Sequence, residues 1–490
     1  MTDKKEKPNR SKGTLLWCFT TYFAEGFPYS VIRVLTSVFF TDIGMKERYI
    51  GYSNFLGIPW NFKFLWAPFL DLFGTRRGWM VVLQGIISVL IAVLAIVCWI
   101  FSYNVDSNLF MTVSFSLLIV LAFLSATNDV AIDAYYMEAI PDKKDQAAYT
   151  GWRVFAWRMA LITVRSGLVA LVPWVAAYTF FSGNKVKPWA AAFAAASIIM
   201  FVVTIYHFFA LPKVRNALSE TKKSVSEILF GFSEAFSTYL DRKPQKLLST
   251  IILTVIISVC YAFVSFQILI PSYKSFEWLW LMLIPTISIA AFVGQMRKQI
   301  ALMLLFIIFY KVGDEVLFSM GTTFLMRELL VTKVDLAWLA GILGVVGSIS
   351  GTFLGGMWIK KHGFSKSVWP LTLFMNVNIM AYAWLAWHKP LATTFNGLMT
   401  IASVYTYEQF ASGLGGAVLI VYILRTCKPE FKASHYAVGS AIMSLFSTFF
   451  GGLGGRIVES MGYLNMFLLA FSLTIPAMGL IFVAPMGNEK

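Results

Sequence analysis

Long apolar runs separated by short polar segments extend along this chain from residue 14 to residue 485. A bilayer core of about 30 Å requires about 20 predominantly apolar residues per helix. Segmentation at charge clusters, at Gly/Pro turns and by apolar length predicts fourteen membrane-spanning helices. They are 14–41, 48–71, 79–101, 109–138, 150–177, 188–211, 247–270, 277–296, 299–326, 335–359, 366–387, 393–425, 433–457 and 462–485. Because Pro271 and Pro285 interrupt the pair at 247–296, the prediction is twelve clear helices plus one extra hairpin.

The composition excludes a soluble fold. Only 13% of the 490 residues are charged, whereas 58% are hydrophobic and 16% are aromatic. An ordinary soluble domain carries about 25% charged residues, so this chain could not cover a globular surface in water. The 44 Phe, 16 Trp and 20 Tyr residues require burial, which excludes a disordered chain. The chain is therefore predicted to be an all-α polytopic membrane protein.

The net charge of +15 is explained by topology. Most Lys and Arg residues lie in the predicted inner segments, and the 212–246 loop is especially basic, whereas the predicted outer loops carry few. This bias predicts a membrane protein with both termini in the cytoplasm, a lipid bilayer as its environment and no nucleic-acid partner. The basic N-terminus precedes an apolar run that is too long for a signal peptide, so the first helix is expected to be retained.

An internal repeat predicts the architecture. A shift of 289 residues places Glu25 on Asp314, Gly74 on Gly363 and Arg77 on Lys366. Two parallel six-helix halves are the arrangement of transporters of the major facilitator type, which hold their substrate between the halves. The predicted organisation is a cytoplasmic N-terminal tail (1–13), an N-terminal six-helix half (14–211), a cytoplasmic linker with the extra hairpin (212–298), a C-terminal six-helix half (299–485) and a cytoplasmic C-terminal tail (486–490).

Ionisable residues within apolar helices are functional candidates, because each is costly in a bilayer. Asp129 and Asp133 are four residues apart on the predicted fourth helix and share one face. Two carboxylates in such a setting can take up and release a proton, and Glu25 in the first helix is the next candidate. The alternative is that both aspartates pair structurally with arginines of the next helix. Gly26 and Pro28 predict a kink or break in the first helix.

Other polar residues in the helices form a candidate substrate site. Arg presents a planar fork suited to carboxylate or phosphate, and Trp, Tyr and Asn suit a sugar-like or aromatic ligand. These candidates are Arg33, Asn54, Trp60, Asn61, Lys63, Arg153, Arg158, Arg165, Lys311, Tyr405, Glu408 and Gln409. Arg153 could instead extend to the cytoplasmic surface, and Lys311 could form a structural pair with Asp314 or Glu315. Glu408 could face the outer water.

The cysteines and histidines show no paired spacing. Neither a disulfide framework nor a metal site is expected, and no cofactor is predicted other than the proton as coupling ion. The aspartates of the fourth helix do not match the spacing of an intramembrane prenyltransferase, so an enzyme is not expected. A nutrient receptor or a lipid scramblase on a transporter scaffold stays open as an alternative.

Several motifs resemble those of the AmpG muropeptide permeases and the related acetyl-CoA transporters. They are Phe62–Asp71 followed by Gly74–Trp79, then Ala126–Ala134, Gly151–Arg153 and Tyr310–Asp314. The resemblance implies a major facilitator fold with fourteen helices and proton-driven import of anhydromuropeptides, which are cell-wall fragments of amino sugar and peptide. The resemblance also implies that Asp129 and Asp133 are the essential acids of the fourth helix.

The same resemblance implies a conformational latch in the turn after the second helix. The matching residues are Asp71, Gly74, Arg76 and Arg77. The chain departs from the family pattern at Ala67, where the motif opens with Gly, and at Leu72, which replaces a basic residue. Asn128 stands where much of the family has Gln. Because some relatives carry siderophores, the alternative substrate is another bulky anionic solute such as a siderophore or acetyl-CoA. A monomer is expected.

Overall fold

The computed structural model describes residues 12–63, 66–67, 70, 74–105, 107–140, 142–181, 183–213, 298–426 and 432–486. All regular structure within these ranges is helical, which confirms the predicted all-α class. We number twelve helical segments in chain order. The first six are α1 (12–42), α2 (47–62), α3 (Arg76–Ile100), α4 (Asn108–Ala139), α5 (143–179) and α6 (Lys187–Ala210). The others are α7 (Lys298–Arg327), α8 (333–362), α9 (Phe364–His388), α10 (Phe395–Thr426), α11 (432–461) and α12 (463–480).

Four of these helices contain a change of helical pitch. α1 consists of Lys12–Ser30, a π-helical turn Val31–Leu35 and Thr36–Asp42. α5 consists of Lys143–Ile162, a longer π-helical stretch Thr163–Leu171 and Val172–Thr179. In α8 a π-helical turn Leu339–Leu343 joins Lys333–Trp338 to Gly344–His362, and in α2 the 3₁₀ stretch Ser53–Gly57 joins Glu47–Tyr52 to Ile58–Phe62. Such irregular turns are often found at functional sites in helices.

The first helix is irregular close to the predicted kink or break, although it continues as a helix. The π-helical turn Val31–Leu35 begins three residues after Pro28, whose missing N–H and ring disturb the regular hydrogen-bond ladder. Ser30 Oγ donates to Gly26 O at 2.7 Å and satisfies one carbonyl near the break. At the other end of the chain, Gly462 (φ 77°, ψ 169°) divides the continuous stretch Lys432–Ser472 into α11 and α12, with α12 continuing into Ile475–Leu480.

Twelve of the predicted helices correspond to these segments, most of them within a few residues at each end. The larger differences are at the start of predicted helix 150–177, since α5 begins at 143, and at the ends of predicted helices 48–71 and 462–485, since α2 ends at 62 and α12 at 480. The predicted helices 247–270 and 277–296, and most of the 212–246 loop, lie outside the described residues. Within the described ranges, seven helices are long and apolar enough to cross a bilayer: Arg76–Ile100, Asn108–Ala139, Gly151–Thr179, Lys187–Ala210, Lys333–His362, Phe364–His388 and Met443–Leu480. The helices outside this set include α1 and α7, which carry the charged residues Glu25, Lys311 and Asp314.

The chain divides into two compact units. Unit 1 is built from the described parts of 1–45 and 56–225 together with 333–342, and unit 2 from 46–55 with the described parts of 226–332 and 343–490. Each unit therefore includes a short segment, 46–55 or 333–342, from the opposite part of the chain. The 289-residue repeat shifts 46–55 onto 335–344, so these two segments occupy equivalent places in the sequence repeat.

Glycines allow segment 46–55 to pack closely within unit 2. A Cβ atom added at Gly51 would lie 2.7 Å from Gly455 N, and one added at Gly452 would lie 2.5 Å from the Phe55 ring. A Cβ atom at Gly455 would overlap the carbonyl oxygen of Glu47. Small residues at a helix contact let two backbones approach each other, which is how bilayer helices associate.

The core of unit 1 is aromatic around the N-terminal half of α1 and the C-terminal half of α4. Trp17 and Tyr135 pack edge to face with ring centroids 5.4 Å apart, and Tyr22 and Tyr136 do the same at 5.6 Å. Buried aliphatic residues of α3, α4 and α5 surround these rings. Because such ring pairs prefer defined geometries, this core fixes how α1 lies against α4.

Candidate functional site

Asp129 lies in the interior of unit 1 with 5% of its surface exposed. Its Oδ2 accepts a hydrogen bond from Trp60 Nε1 at 2.8 Å and lies 3.6 Å from Lys63 Nζ. Its Oδ1 is buried and has no hydrogen-bond partner among the described residues. One oxygen of the carboxylate is thus held by α2, and the other is open to a proton or a ligand.

Asp133 is one turn further along α4 and has different partners. Tyr22 donates its hydroxyl to Asp133 Oδ1 at 2.9 Å, and Arg153 Nη2 lies 3.0 Å from the same oxygen. The Arg153 guanidinium also lies over the rings of Tyr22 and Tyr136, at 4.1 and 4.3 Å from their centroids. This planar cation is therefore clamped between two aromatic faces and one carboxylate.

Glu25 completes the group of acids. It interacts electrostatically with Asp129, Asp133, Lys63 and Arg153, and its buried Oε2 has no hydrogen-bond partner within the described part of the chain. Three carboxylates thus lie among two basic side chains, which leaves one surplus negative charge that a single proton neutralises. We call Glu25, Lys63, Asp129, Asp133 and Arg153 the carboxylate cluster.

An aromatic wall adjoins the carboxylate cluster. Tyr29 packs edge to face against Trp60 at 5.0 Å between centroids and lies 5.8 Å from Trp157. Gly26 makes room for this packing, since a Cβ atom there would lie 2.8 Å from the Trp157 ring. All three rings are partly exposed, so they can offer flat apolar surface to a ligand beside Asp129.

The arginines of α5 have separate roles in the structure. Arg153 belongs to the carboxylate cluster, whereas Arg158 lies with its guanidinium 5.9 Å from the Trp157 centroid, at the aromatic wall. Arg165 Nη1 donates to Ala340 O at 3.2 Å, and Ser166 donates to Ala337 O at 3.2 Å. Both contacts hold segment 333–342 against the π-helical stretch of α5.

The remaining predicted residues of unit 1 are placed as follows. Arg33 lies in the π-helical turn of α1, and Asn61 is buried one residue after Trp60. In the predicted latch, Arg76 forms an ion pair with Glu138 at 3.0 Å, and Arg77 donates to Phe208 O. Both contacts are internal to unit 1. Gly74 adopts a φ of 71°, and Asp71 lies outside the described residues.

Unit 2 contains a second charged group. Lys311 Nζ bonds Asp314 Oδ2 and lies 3.8 Å from Glu315 Oε1. This is the structural pair that the sequence offered as the alternative to a substrate contact for this lysine. Ser412 also donates to Asp314 Oδ2, at 3.2 Å. Glu408 interacts electrostatically with Lys311 and is only 4% exposed, so it is buried rather than open to water.

Three further candidates belong to unit 2. Gln409 Nε2 donates to Glu408 Oε2 at 2.8 Å, and Tyr405 is buried close to the same helix turn. Asn54 lies in segment 46–55, where its Nδ2 donates to Gly51 O at 3.1 Å. The predicted substrate residues are therefore divided between the two units.

Several residues of the unit 1 site were not predicted from the sequence. Tyr22 and Tyr29 flank Glu25 at three and four residues, so the helical face that carries Glu25 could have identified both. Trp157 directly precedes the predicted Arg158. His207, which is completely buried in α6 with its Nδ1 2.6 Å from Gln84 Oε1, gave no signal, because a single histidine in an apolar run has no pattern around it.

Comparisons with known proteins agree with this architecture. The peptide transporter of the POT family (TM-score 0.61, 13% identity) covers 97% of this chain and 98% of its own, and the Escherichia coli xylose transporter XylE (TM-score 0.59, 11% identity) covers 97% of each. At such identities the likeness shows the fold alone. No protein-family profile matches the chain.

Sequence relatives cover nearly the whole chain. An uncharacterized protein of Haemophilus influenzae is 25% identical over 489 residues, covering 97% of this chain and 96% of the relative. A putative transporter AmpG 4 of Rickettsia conorii is 22% identical over 468 residues, covering 94% of each. The anhydromuropeptide permease of Escherichia coli K12 is 22% identical over 466 residues, covering 94% of this chain and 77% of the relative.

The helical fold and these matches define a multi-pass transporter of the inner membrane with the major facilitator architecture, and not an enzyme. Within that class, the chain resembles the AmpG permeases over nearly its whole length, as its motifs indicated.

Proposed function

We propose that this transporter couples proton uptake to the import of anhydromuropeptides by alternating access. The observation that carries the proposal is the carboxylate cluster, in which Glu25 Oε2 and Asp129 Oδ1 are buried without hydrogen-bond partners among the described residues. A buried carboxylate oxygen without a partner is costly, and a proton bound there lowers the cost. The surplus of one negative charge makes one proton the natural ligand of this cluster.

The aromatic wall supports a substrate of amino sugar and peptide. Sugar rings present C–H faces that stack on Tyr29, Trp60 and Trp157, and Arg158 lies at the edge of this wall to receive a carboxylate. Trp60 belongs to both features, because its ring faces Tyr29 and its Nε1 donates to Asp129. Substrate contact at Trp60 can therefore act directly on the proton site. The name of the Escherichia coli relative, anhydromuropeptide permease, points to the same substrate class.

The finer topology is part of the proposal. Both termini lie in the cytoplasm, and residues 212–298 supply a cytoplasmic linker and an extra two-helix hairpin, which brings the total to fourteen helices. The proton is the coupling ion, and the transporter works as a monomer. Each 100 mV of membrane potential supplies about 2.3 kcal/mol per proton, enough to concentrate a solute about fifty-fold.

Proteoliposomes test the proposal directly. Uptake of a radiolabelled N-acetylglucosaminyl-anhydro-N-acetylmuramyl peptide is measured with an inward acid gradient, without a gradient and with a protonophore, beside acetyl-CoA and a ferric siderophore. Gradient-dependent uptake of the muropeptide alone is expected, together with its loss in Asp129→Asn. Uptake that persists with protonophore contradicts proton coupling. Selective uptake of acetyl-CoA or of the siderophore would show that this solute, and not the muropeptide, is the substrate. Tight binding of a solute without net transport would favour a receptor.

A further inference from the structure

A buried hydrogen-bond network joins four helices of unit 1 beside the carboxylate cluster. His207 Nδ1 of α6 lies 2.6 Å from Gln84 Oε1 of α3, and Gln84 Nε2 donates to Asn128 Oδ1 of α4 at 3.2 Å. Asn128 Nδ2 in turn donates to the Ala24 carbonyl of α1 at 3.1 Å. Gln84, Asn128 and His207 are each completely buried.

The Ala24 carbonyl determines the direction of the hydrogen bonds that lead from it to His207. A backbone carbonyl only accepts, so Asn128 must present its NH₂ group to Ala24 and its oxygen to Gln84. Gln84 must then present its NH₂ to Asn128 and its oxygen to the imidazole, and His207 must carry a proton on Nδ1. All four side-chain atoms of the two amides therefore have partners, and reversing either amide would leave two buried groups unpaired.

The network ends on the residues that directly precede two acids of the carboxylate cluster. Ala24 precedes Glu25 on α1, and Asn128 precedes Asp129 on α4. A bond from the Asn128 side chain to the Ala24 carbonyl consequently fixes both the distance and the axial register between the helices that carry these acids. Among the described residues, neither His207 nor Gln84 contacts the acids directly. Gln84 reaches them through Asn128, whereas His207 also meets α1 itself, with its Nε2 3.1 Å from Thr20 Oγ1.

We propose that Gln84, Asn128 and His207 are positioning residues that set α1 against α4 and so hold Glu25 and Asp129 in the geometry that couples proton binding to transport. The inference rests on the proposed proton-coupled function and adds to it the residues that maintain the coupling site. Burial of a fully paired polar network between apolar helices specifies one arrangement of these helices, because any shift leaves amide groups unpaired in the interior.

The test compares two transport modes in proteoliposomes with the labelled muropeptide. Gradient-driven uptake requires coupled proton movement, whereas counterflow at equal pH requires only substrate binding and the conformational change. The variants are Gln84→Leu, His207→Leu and His207→Gln, whose amide N–H can still donate to Gln84 Oε1. Thr204→Val is the matched control, since Thr204 lies on α6 one turn before His207 and, within the described part of the chain, bonds only inside its own helix, to Met200 O at 2.7 Å.

The expected result is selective. Gradient-driven uptake falls about ten- to a hundredfold in Gln84→Leu and His207→Leu, as misplaced reacting groups do, while counterflow stays within about twofold. His207→Gln restores most of the gradient-driven uptake, and Thr204→Val resembles the original protein. Equal loss of both modes in the two Leu variants, or no loss in either mode, overturns the inference. If one of the two Leu variants does not fold, the transport measurements on the other Leu variant and on His207→Gln test the inference.

Failure of the positioning role and failure of the proposed function give different patterns. Asp129→Asn is measured in the same two modes. If Asp129→Asn loses gradient-driven uptake but the Leu variants do not, the network is structural and the proposed function stands. If Asp129→Asn retains gradient-driven uptake, proton coupling at this site is wrong.

Discussion

Arg48 binds Glu459 through both its backbone and its side chain: Arg48 N donates to Glu459 Oε1 at 2.9 Å, and Arg48 Nε donates to Oε2 at 2.6 Å. Glu47, the preceding residue, accepts from Arg327 Nη1 at 2.6 Å. These bonds hold the beginning of segment 46–55 on α11 and α7 within unit 2.

The substitution Glu459→Gln should loosen segment 46–55. The glutamine can still accept from Arg48 N but lacks the charge that attracts the guanidinium, whose side chain is 42% exposed. Because exposed ion pairs are weak, we expect a loss of about 1 kcal/mol or less in local stability. Faster hydrogen exchange of amides 46–55 measures it. Glu328→Gln is the control, as Glu328 pairs with Lys389 elsewhere in unit 2. Equal exchange in both variants would show that Glu459 does not hold the segment.

Two glycine substitutions should change stability in opposite directions. A methyl group at Gly455 would overlap the carbonyl of Glu47, and only backbone movement can relieve that overlap, so Gly455→Ala should lower stability by about 1–3 kcal/mol. Gly356 is also helical but faces open space, so Gly356→Ala should raise stability by about 0.5–1 kcal/mol. Thermal unfolding in detergent compares the two Tm values. A Gly455→Ala protein as stable as the original would mean that the close backbone contact contributes little.

The sequence pattern predicted the positions of the helices. It did not predict that segments 46–55 and 333–342 each belong to the unit formed mainly by the other part of the chain. Apolar length located twelve segments, most of them with ends within a few residues, because a bilayer-length helix is a local property. Which helix end packs on which helix depends on contacts between residues far apart in the chain, such as Gly51 with Gly455. Glycines at four-residue intervals were the available signal, and they indicate close packing without naming the partner.

The carboxylate cluster shows the same limit. Asp129 and Asp133 follow from spacing on one helix, and an arginine of the next helix was the expected alternative partner, as Arg153 is for Asp133. The pairing of Asp129 with Lys63 and Trp60 joins residues more than 60 positions apart and could not be read from periodicity. The shared face of two acids therefore predicts that a site exists but not which side chains surround each acid.

Asp42→Asn should release segment 333–342 from unit 1. Asp42 Oδ2 accepts from Trp189 Nε1 at 2.7 Å and from Lys333 Nζ at 2.8 Å. Loss of the carboxylate charge weakens two bonds at once, which should cost about 1–3 kcal/mol. Hydrogen exchange of 333–342 is the measurement. Asp335→Asn serves as the control, because Asp335 lies in the segment and accepts a local bond from Trp338 at 3.3 Å. If Asp335→Asn accelerates exchange as much, the anchor is not Asp42.

Trp60→Phe should impair transport while leaving the aromatic wall in place. Phenylalanine retains a ring against Tyr29 but cannot donate to Asp129 Oδ2. Since a hydrogen bond to a charged group contributes about 1.5–3 kcal/mol, gradient-driven muropeptide uptake should fall at least about tenfold. Trp66→Phe is the matched control: it removes a bond of similar length, from Nε1 to Thr127 Oγ1 at 3.1 Å, outside the carboxylate cluster. If uptake is similar in Trp60→Phe and Trp66→Phe, the hydrogen bond from Trp60 to Asp129 does not contribute to proton coupling.

Arg153→Lys should be disruptive although it conserves charge. The planar guanidinium lies over two tyrosine rings and reaches Asp133, whereas a compact ammonium cannot face both rings and keep that bond. The lost stacking should lower the free energy of unfolding by about 1–2 kcal/mol, and Asp133 is left with Tyr22 alone among the partners described above. Thermal unfolding in detergent is the measurement, with Arg158→Lys as control, since Arg158 lies 5.9 Å from its ring and its stacking is weaker. Equal Tm values for Arg153→Lys and the original protein would show that charge alone, and not the planar clamp, stabilises this corner of the cluster.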